Sequence, residues 1–189
     1  MTDSQQKFDI LLDELERWNR KVNLTAVRDR QEMITAHLED SLSAWPLLRG
    51  KRVLDVGTGA GFPGLPLAIV DPEREFHLID SNNKKIQFVQ HMIRLLGLDN
   101  VTAVKARAED YAPGHRFDTV IARALASLPK LLEIAGHHVR EGGVFIALKG
   151  RYPEEELEQV PDTWRCNVRE LKVPGLEEGS RHAVLMERK

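Results

Sequence analysis

The residues with the plainest chemical purpose are the glycines of Gly57-Thr58-Gly59-Ala60-Gly61-Phe62-Pro63-Gly64. They follow directly on Arg52-Val53-Leu54-Asp55-Val56, which reads as a buried strand, and lead into a helical stretch over 64–70. Glycine lets a chain turn sharply at positive φ and lets a ligand approach the backbone, while the next helix offers amide groups that have no internal acceptor. Pro63 and Pro66 suit that place, because the first helical turn does not need its N–H groups. A turn of this kind holds a nucleotide-like ligand. Gly59 to Gly64 also satisfies the G-x-G-x-x-G pattern of dinucleotide enzymes, so NAD and S-adenosyl-L-methionine are both candidates.

Of three neighbours, two favour S-adenosylmethionine and one suits either ligand. Asp55, two residues before the first glycine, is placed to attract a cationic methionyl group directly or through water, which NAD does not require. Asp80 closes the next strand, where its two oxygens can accept from both ribose hydroxyls of either ligand. Arg107-Ala108-Glu109-Asp110 follows the third strand, where methyltransferases read an adenine edge with a backbone N–H and a carboxylate. A solvated loop charge is the competing reading of Glu109. A dehydrogenase normally carries a separate substrate domain, and none follows the sheet here.

The elements that must position these residues are legible from periodicity. Phe8, Leu11, Leu12, Leu15 and Trp18 share one helical face between Ser4, a candidate N-cap, and about Lys21. A second amphipathic helix is expected from Arg30 to Trp45, closed by Pro46. Beyond it, strands at 52–57, 75–80, 101–106, 117–122 and 143–148 alternate with helices at 64–70, 83–96 (Gly97 as C-cap) and 127–139. The tail reads as two strands joined by the turn 175–180, too short for a parallel crossover. The expectation is a single class I methyltransferase domain: residues 1–50 form N-terminal helices, and residues 51–189 form a Rossmann-like α/β core. Its sheet is seven-stranded and mostly parallel, with an antiparallel last strand.

Composition limits the partners. With 189 residues, 42% apolar and 30% charged, the chain can bury a full core, and no apolar run approaches the roughly 20 residues of a membrane span. The amphipathic N-terminus does not read as a secretion leader, so a cytoplasmic location and no membrane partner are expected. Cys166 is the single cysteine, which excludes an intrachain disulfide, and His137 and His138 lack companions at ligand spacing, so no metal is assigned. A net charge of −2 supplies no global field for nucleic acid. Any RNA must be recruited by local geometry.

The extended segment Gly57 to Ala68, together with Asn23-Leu24-Thr25-Ala26, His37-Leu38-Glu39-Asp40-Ser41-Leu42 and Arg123-Ala124, resembles the RsmG family, also called glucose-inhibited division protein B. The likeness spans nearly the whole chain. It implies a bacterial enzyme that uses S-adenosylmethionine to methylate N7 of guanine 527 in the 530 loop of 16S ribosomal RNA. It also implies that Gly57 and Phe62 line the cofactor loop, that Ala108 and Glu109 meet adenine, and that Arg123 sits beside the methionine end. One departure is Ala122 before Arg123-Ala124, where the family often has serine.

The residue chemistry agrees with a target that need not lose a proton. Attack by a pyrimidine C5 calls for a cysteine near the fourth strand, and Cys166 lies far beyond it. The aromatic turn of amino methyltransferases is replaced by Ala122-Arg123-Ala124-Leu125-Ala126-Ser127. Guanine N7 remains. Arg123 is a candidate for orienting cofactor or substrate, with a structural ion pair to Asp118 or Glu109 as the competing reading. Lys149 is a candidate phosphate contact or an ordinary solvated lysine. Asn23 and Thr25, with Arg20, Lys21, Arg28 and Arg30 nearby, are candidates for an RNA-contacting patch; His37, Asp40 and Ser41 share a helical face that can meet the catalytic mouth. Trp18, Trp45 and Phe88 read as core. Two rivals remain: a dinucleotide-dependent oxidoreductase, and an assembly factor whose methyltransferase fold has lost activity.

Overall fold

In a computed structural model, which describes residues 3–176 and 179–189, seven strands form one sheet. They are β1 (Arg52–Val56), β2 (Glu75–Asp80), β3 (Val101–Lys105), β4 (Phe117–Arg123), β5 (Val139–Lys149), β6 (Trp164–Glu170) and β7 (His182–Arg188). Their order is β3-β2-β1-β4-β5-β7-β6, parallel from β3 to β5. β7 runs antiparallel between β5 and β6, as the short tail connection requires. Of the turn expected at 175–180, residues 177 and 178 lie outside the described residues. The strand order reverses between β1 and β4, so the C-terminal ends of these two strands flank the crevice where open α/β sheets bind ligands.

Each face of the sheet is covered by an apolar layer. On one side, α1 (Asp3–Val22) lays Phe8, Leu11, Leu12 and Leu15 against a core that includes Phe76, Leu78 and Phe88. α4 (Gly64–Val70) and α5 (Asn83–Leu96) belong to the same layer. On the other side, α6 (Leu128–Ala135) packs Leu128, Leu131 and Leu132 with Phe117, Phe145 and Trp164. α5 starts on the Asn82 side chain, which accepts from the Lys84 N–H, and stops at Gly97 with φ 60°, as expected from the sequence. Among the described residues, no helix is long and apolar enough to cross a membrane.

Several expectations need correction. α1 already includes Asp3, so Ser4 lies inside the helix and does not cap it. The expected helix over 30–45 is broken into α2 (Arg30–Met33), a π-helical turn (Ile34–Glu39) and α3 (Asp40–Leu42). The expected helix over 127–139 ends at Ala135, and a 3₁₀ turn at Gly136–His138 leads straight into β5. β5 therefore begins four residues early, with a register shift opposite Phe117 and Thr119 that absorbs the extra residues. Trp45 is not core. Pro46 turns the chain into a 3₁₀ segment, and the indole is 44% exposed and donates to Asp71. Trp18 is half-buried edge-on against the buried Phe88, as expected. A short helix, α7 (Glu154–Leu157), was not anticipated.

The chain entering β1 is clasped by β4. Asp118 accepts the Lys51 and Arg52 amides at 2.7 and 2.8 Å and pairs with Arg140, while Thr119 bonds both the N–H and C=O of Arg49. Burial alone would raise the Asp118 pKa, but the Arg52 and Lys51 amides and Arg140 outweigh it and hold the carboxyl below its ordinary value. Asp118→Ala is expected to cost about 1.5–3 kcal/mol at pH 7. A depressed folded pKa gives stability that is fully present above the ordinary carboxylate range and lost as pH falls through the folded value. Denaturant unfolding at pH 7 and pH 3 should therefore give a gap between variant and parent that narrows in acid; a gap unchanged across that range would contradict this role.

Candidate active site

β1 ends at Val56, and the chain must turn at once to place α4 beneath the sheet. Gly57 has φ 68°, the left-handed region that favours glycine. Gly59 has φ 62°, and a Cβ there would meet nothing closer than the Gly57 carbonyl at 4.0 Å. That open space belongs to the cavity. Asp55 straps the loop at both ends: its Oδ2 accepts from the Thr58 hydroxyl at 2.6 Å and from the Gly64 N–H at 2.9 Å. It is fully buried, its Oδ1 has no partner, and burial raises its pKa to about 6 against the lowering effect of Thr58, Gly64 and Arg123. Asp55 thus holds the loop through Oδ2, and with no exposed surface it stands behind the glycines and not in the open path of a ligand.

Three contiguous cavities run across the C-terminal ends of the strands. The first, about 180 Å³, is lined by Val56, Ile79, Asp80, Ala108, Glu109 and Ile134 among others. The second, about 250 Å³, is lined by Thr25, His37, Gly57, Gly59, Phe62, Lys85 and Arg123, and shares Gly57, Asp80 and Leu125 with the first. The third, about 400 Å³, shares His37, Arg123 and Ala124 with the second and adds Asp40, Lys149, Arg181 and His182. Gly61, at φ 89°, turns the chain without joining the lining of these three. Asp80 anchors the junction of the first two, its Oδ2 accepting the Gly59 N–H at 3.0 Å and its Oδ1 the Asn82 N–H at 2.8 Å. A carboxylate oxygen has a second lone pair, so both oxygens can still accept from a ligand.

The wall between the second and third cavities explains the broken helix. In the π turn, the Asp40 N–H reaches Thr35 and His37 carbonyls and leaves that of Ala36 free. Arg123 takes it at 2.8 Å, donates from the same nitrogen to Asp40 Oδ2 at 3.0 Å, and sits 5.9 Å from the Phe62 ring centroid. Arg181 holds the other Asp40 oxygen at 3.0 Å. Asp40 therefore replaces Asp118 and Glu109 as the ion-pair partner of Arg123. Ala124, with φ 49°, is a rare left-handed alanine at the seam of the two cavities.

His37 stacks on Phe62 with ring centroids 5.0 Å apart and reaches Thr25 Oγ1 with Nε2 at 2.9 Å. Arginine only donates, so Arg123, 3.5 Å from Nδ1, places the imidazole proton on Nε2, which then donates to Thr25. Burial, with Arg123 second, lowers the His37 pKa to about 4, so the ring is neutral at pH 7.

The remaining candidates are placed less directly. Asn23 accepts from Arg28 at 2.8 Å and does not line these cavities. Arg28 also binds the Asn19 carbonyl and Arg30 pairs with Asp13 and Glu16, so the expected basic patch is partly neutralised within the fold. Lys149 lines the third cavity, but its ammonium is held by Glu156 at 2.7 Å and the Ala126 carbonyl at 2.9 Å, so it is neither a free phosphate contact nor a solvated lysine. Sequence reasoning missed Asn19, Arg181 and Leu125. Asn19 is buried and clasps both the N–H and C=O of Thr25. The antiparallel β7 was the available signal for Arg181, because its register sets His182 opposite Lys149 at the mouth.

The family described as GidB, rRNA small subunit methyltransferase G, matches residues 4–184. The chain belongs to this family. It is 50% identical to the ribosomal RNA small subunit methyltransferase G of Aeromonas salmonicida, covering 97% of this chain and 89% of that protein. It is 44% identical to the one from Legionella pneumophila strain Philadelphia 1, covering 94% and 86%. Its fold is that of an S-adenosylmethionine-dependent methyltransferase from Aquifex aeolicus (TM-score 0.61, 22% identity, 82% of this chain and 92% of that one). The same fold recurs in coclaurine N-methyltransferase (TM-score 0.65, 11% identity, 94% and 78%). Membership in a methyltransferase family removes the dinucleotide oxidoreductase reading.

Asp55→Asn tests the loop strap. A carboxyl whose folded pKa is raised loses stability for the fold as pH rises from its unfolded value near 3.8 through about 6. The amide variant, spared this, should gain on the parent by roughly 2–3 kcal/mol between pH 4 and pH 7. Parallel stability curves for the two proteins across that range would show that Asp55 is not a buried, ionisable strap.

Proposed function

We propose that the chain transfers the methyl group of S-adenosyl-L-methionine to N7 of guanine 527 in 16S ribosomal RNA, acting on the small ribosomal subunit in the cytoplasm. The observation that carries this reading, beside family membership, is the continuous trough from the Ala108–Glu109 slot past Asp80 to the Arg123 wall. Its dimensions and polarity suit the cofactor: a narrow slot with Ala108 and Glu109 for adenine, Asp80 for the ribose hydroxyls, and the open face of Gly59 for the backbone approach. Gly57 and Phe62 continue the floor toward Arg123 at the methionine end.

When bound, S-adenosylmethionine supplies an electrophilic methyl carbon on a sulfonium. The chain's own task is alignment, because an in-line displacement gains most of its rate from holding the reacting atoms in register. Guanine N7 attacks with a lone pair and needs no base. The trough matches that requirement: His37 is neutral but already donates to Thr25, and Asp40 is held by two guanidiniums. The third cavity, with Arg123 and Arg181 against Asp40 and Lys149 held by Glu156, is where the base would enter. Thr25 and His37 line the passage, and Asn23 supports it from outside through Arg28.

The direct test is mass mapping of nucleosides in 16S RNA from cells with and without the gene. Loss of one 7-methylguanosine at position 527 is expected; its persistence would refute the reading. Single-turnover transfer to purified small subunits separates an active enzyme from an assembly factor without activity. Gly59→Val is expected to fold and to abolish S-adenosylmethionine binding in equilibrium dialysis, since the branched side chain fills the cavity; unchanged affinity would remove the loop from the site.

Arg123 acts here through geometry as well as charge. Its guanidinium spans the Ala36 carbonyl, Asp40 and His37, which a lysine ammonium cannot do from one position. Arg123→Ala and Arg123→Lys are both expected to slow single-turnover transfer by about 100-fold or more, with similar losses. A lysine variant at full rate would show that only positive charge matters.

A further inference from the structure

The end of the sheet opposite the trough carries a cluster that the methyl-transfer reading leaves unused. Glu75 opens β2 and Asp80 closes it, so the two ends of this strand are separated by roughly 16 Å. Glu75 and His77 lie two residues apart on the strand and therefore project from the same face. The loop between β3 and β4 brings His115 over them. One ligand atom from each of Glu75, His77 and His115 falls within 4.8 Å of the other two.

Three details distinguish this cluster from a chance meeting of polar side chains. His77 Nδ1 is engaged by the Tyr111 hydroxyl at 2.6 Å, which fixes the ring and directs Nε2 at Glu75 Oε1, 2.8 Å away. A second group on the far nitrogen is how metal-binding histidines are commonly oriented. The His115 Nε2 is buried without a hydrogen-bond partner, although its ring packs edge-on against His77 at 5.3 Å. The half-exposed Glu75 leaves the cluster a route to solvent. Arg52 also faces Glu75, its Nε 3.5 Å from Oε2 and its side chain half exposed.

We propose that Glu75, His77 and His115 form a binding site for a divalent transition-metal ion of the zinc class, far from the methyl-transfer trough. Two imidazoles and one carboxylate are a donor set that such ions accept, with a fourth position left for water. A tetrahedral ion with bonds of about 2.0–2.1 Å sets its ligands roughly 3.4 Å apart. In the structure the three donor atoms lie within 4.8 Å of one another, with His77 Nε2 and Glu75 Oε1 2.8 Å apart, so side-chain adjustment alone brings them to that spacing. The ion thereby ties the β3–β4 loop to β2.

The test uses the whole protein, freed of metal by dialysis against a chelator and titrated with cobalt(II), whose visible absorption strengthens in a tetrahedral nitrogen and oxygen site. The expected result is one equivalent bound, displacement by zinc, and a higher melting temperature with zinc. His115→Gln and Glu75→Gln, both away from the buried core, should abolish the cobalt band, and Tyr111→Phe should weaken binding about tenfold. S-adenosylmethionine affinity should be unchanged in all three, which keeps this outcome separate from that of the methyl-transfer reading. Absence of a stoichiometric band in the parent protein, or a band undiminished in both ligand variants, would overturn the proposal.

Discussion

The buried carboxylate of Asp40 holds two guanidiniums that come from separate later elements of the chain. Arg123 ends β4, Arg181 immediately precedes β7, and Asp40 belongs to the helical segment before β1. A charge taken out of water is costly unless paired and fully hydrogen-bonded, so the three residues have little freedom to separate. Their geometry docks the N-terminal helices onto the mouth of the sheet. Without that docking, Thr25 and His37 would have no reason to face Phe62, and the second and third cavities would share no wall.

The π turn follows from the same constraint. A regular α-helix would consume the Ala36 carbonyl internally; shifting one hydrogen bond back to Thr35 presents it to Arg123. The turn thus exchanges a standard intrahelical bond for a charge-assisted one that crosses between elements. It also sets His37 against Phe62 while Asp40 faces the arginines. On the other side of the crevice, Asp55 and Asp80 do comparable work for the glycine loop, one from beneath and one from its flank. Three carboxylates with three kinds of partner therefore frame the trough, two of them with backbone amides.

Much of the sheet was legible in the sequence, because fully buried parallel strands must be short, continuous apolar runs bounded by turn residues. Ile121, Val144 and Phe145 have nowhere else to go. The edges were less legible. β5 starts at Val139 because a bulge opposite β4 absorbs residues that look like loop, and α6 stops early for the same reason of pairing. The exposed Trp45 is a case where hydrophobicity alone misleads, since an indole N–H with an aspartate in reach can sit at the surface.

By itself the sequence determined the class of the fold, the place of the ligand loop, Asp80 and Arg123 as residues at strand ends, and Ala108 and Glu109 as residues of the turn after β3. Local chemistry is enough for these: glycine at the turn, a carboxylate closing a strand, and a periodicity that has one reading. The partners of the charged groups were decided only by tertiary structure. Arg123 could have met Asp118 or Glu109 on sequence grounds; it meets Asp40, which lies 83 residues away. Lys149 looked free and is held by Glu156. Glu75, His77 and His115 carry no sequence spacing that announces a cluster, because a loop brings the third to the other two. Ion pairs and ligand sets depend on distances of a few ångströms between separate elements, and those distances exist only once the sheet order and its crossovers have been built.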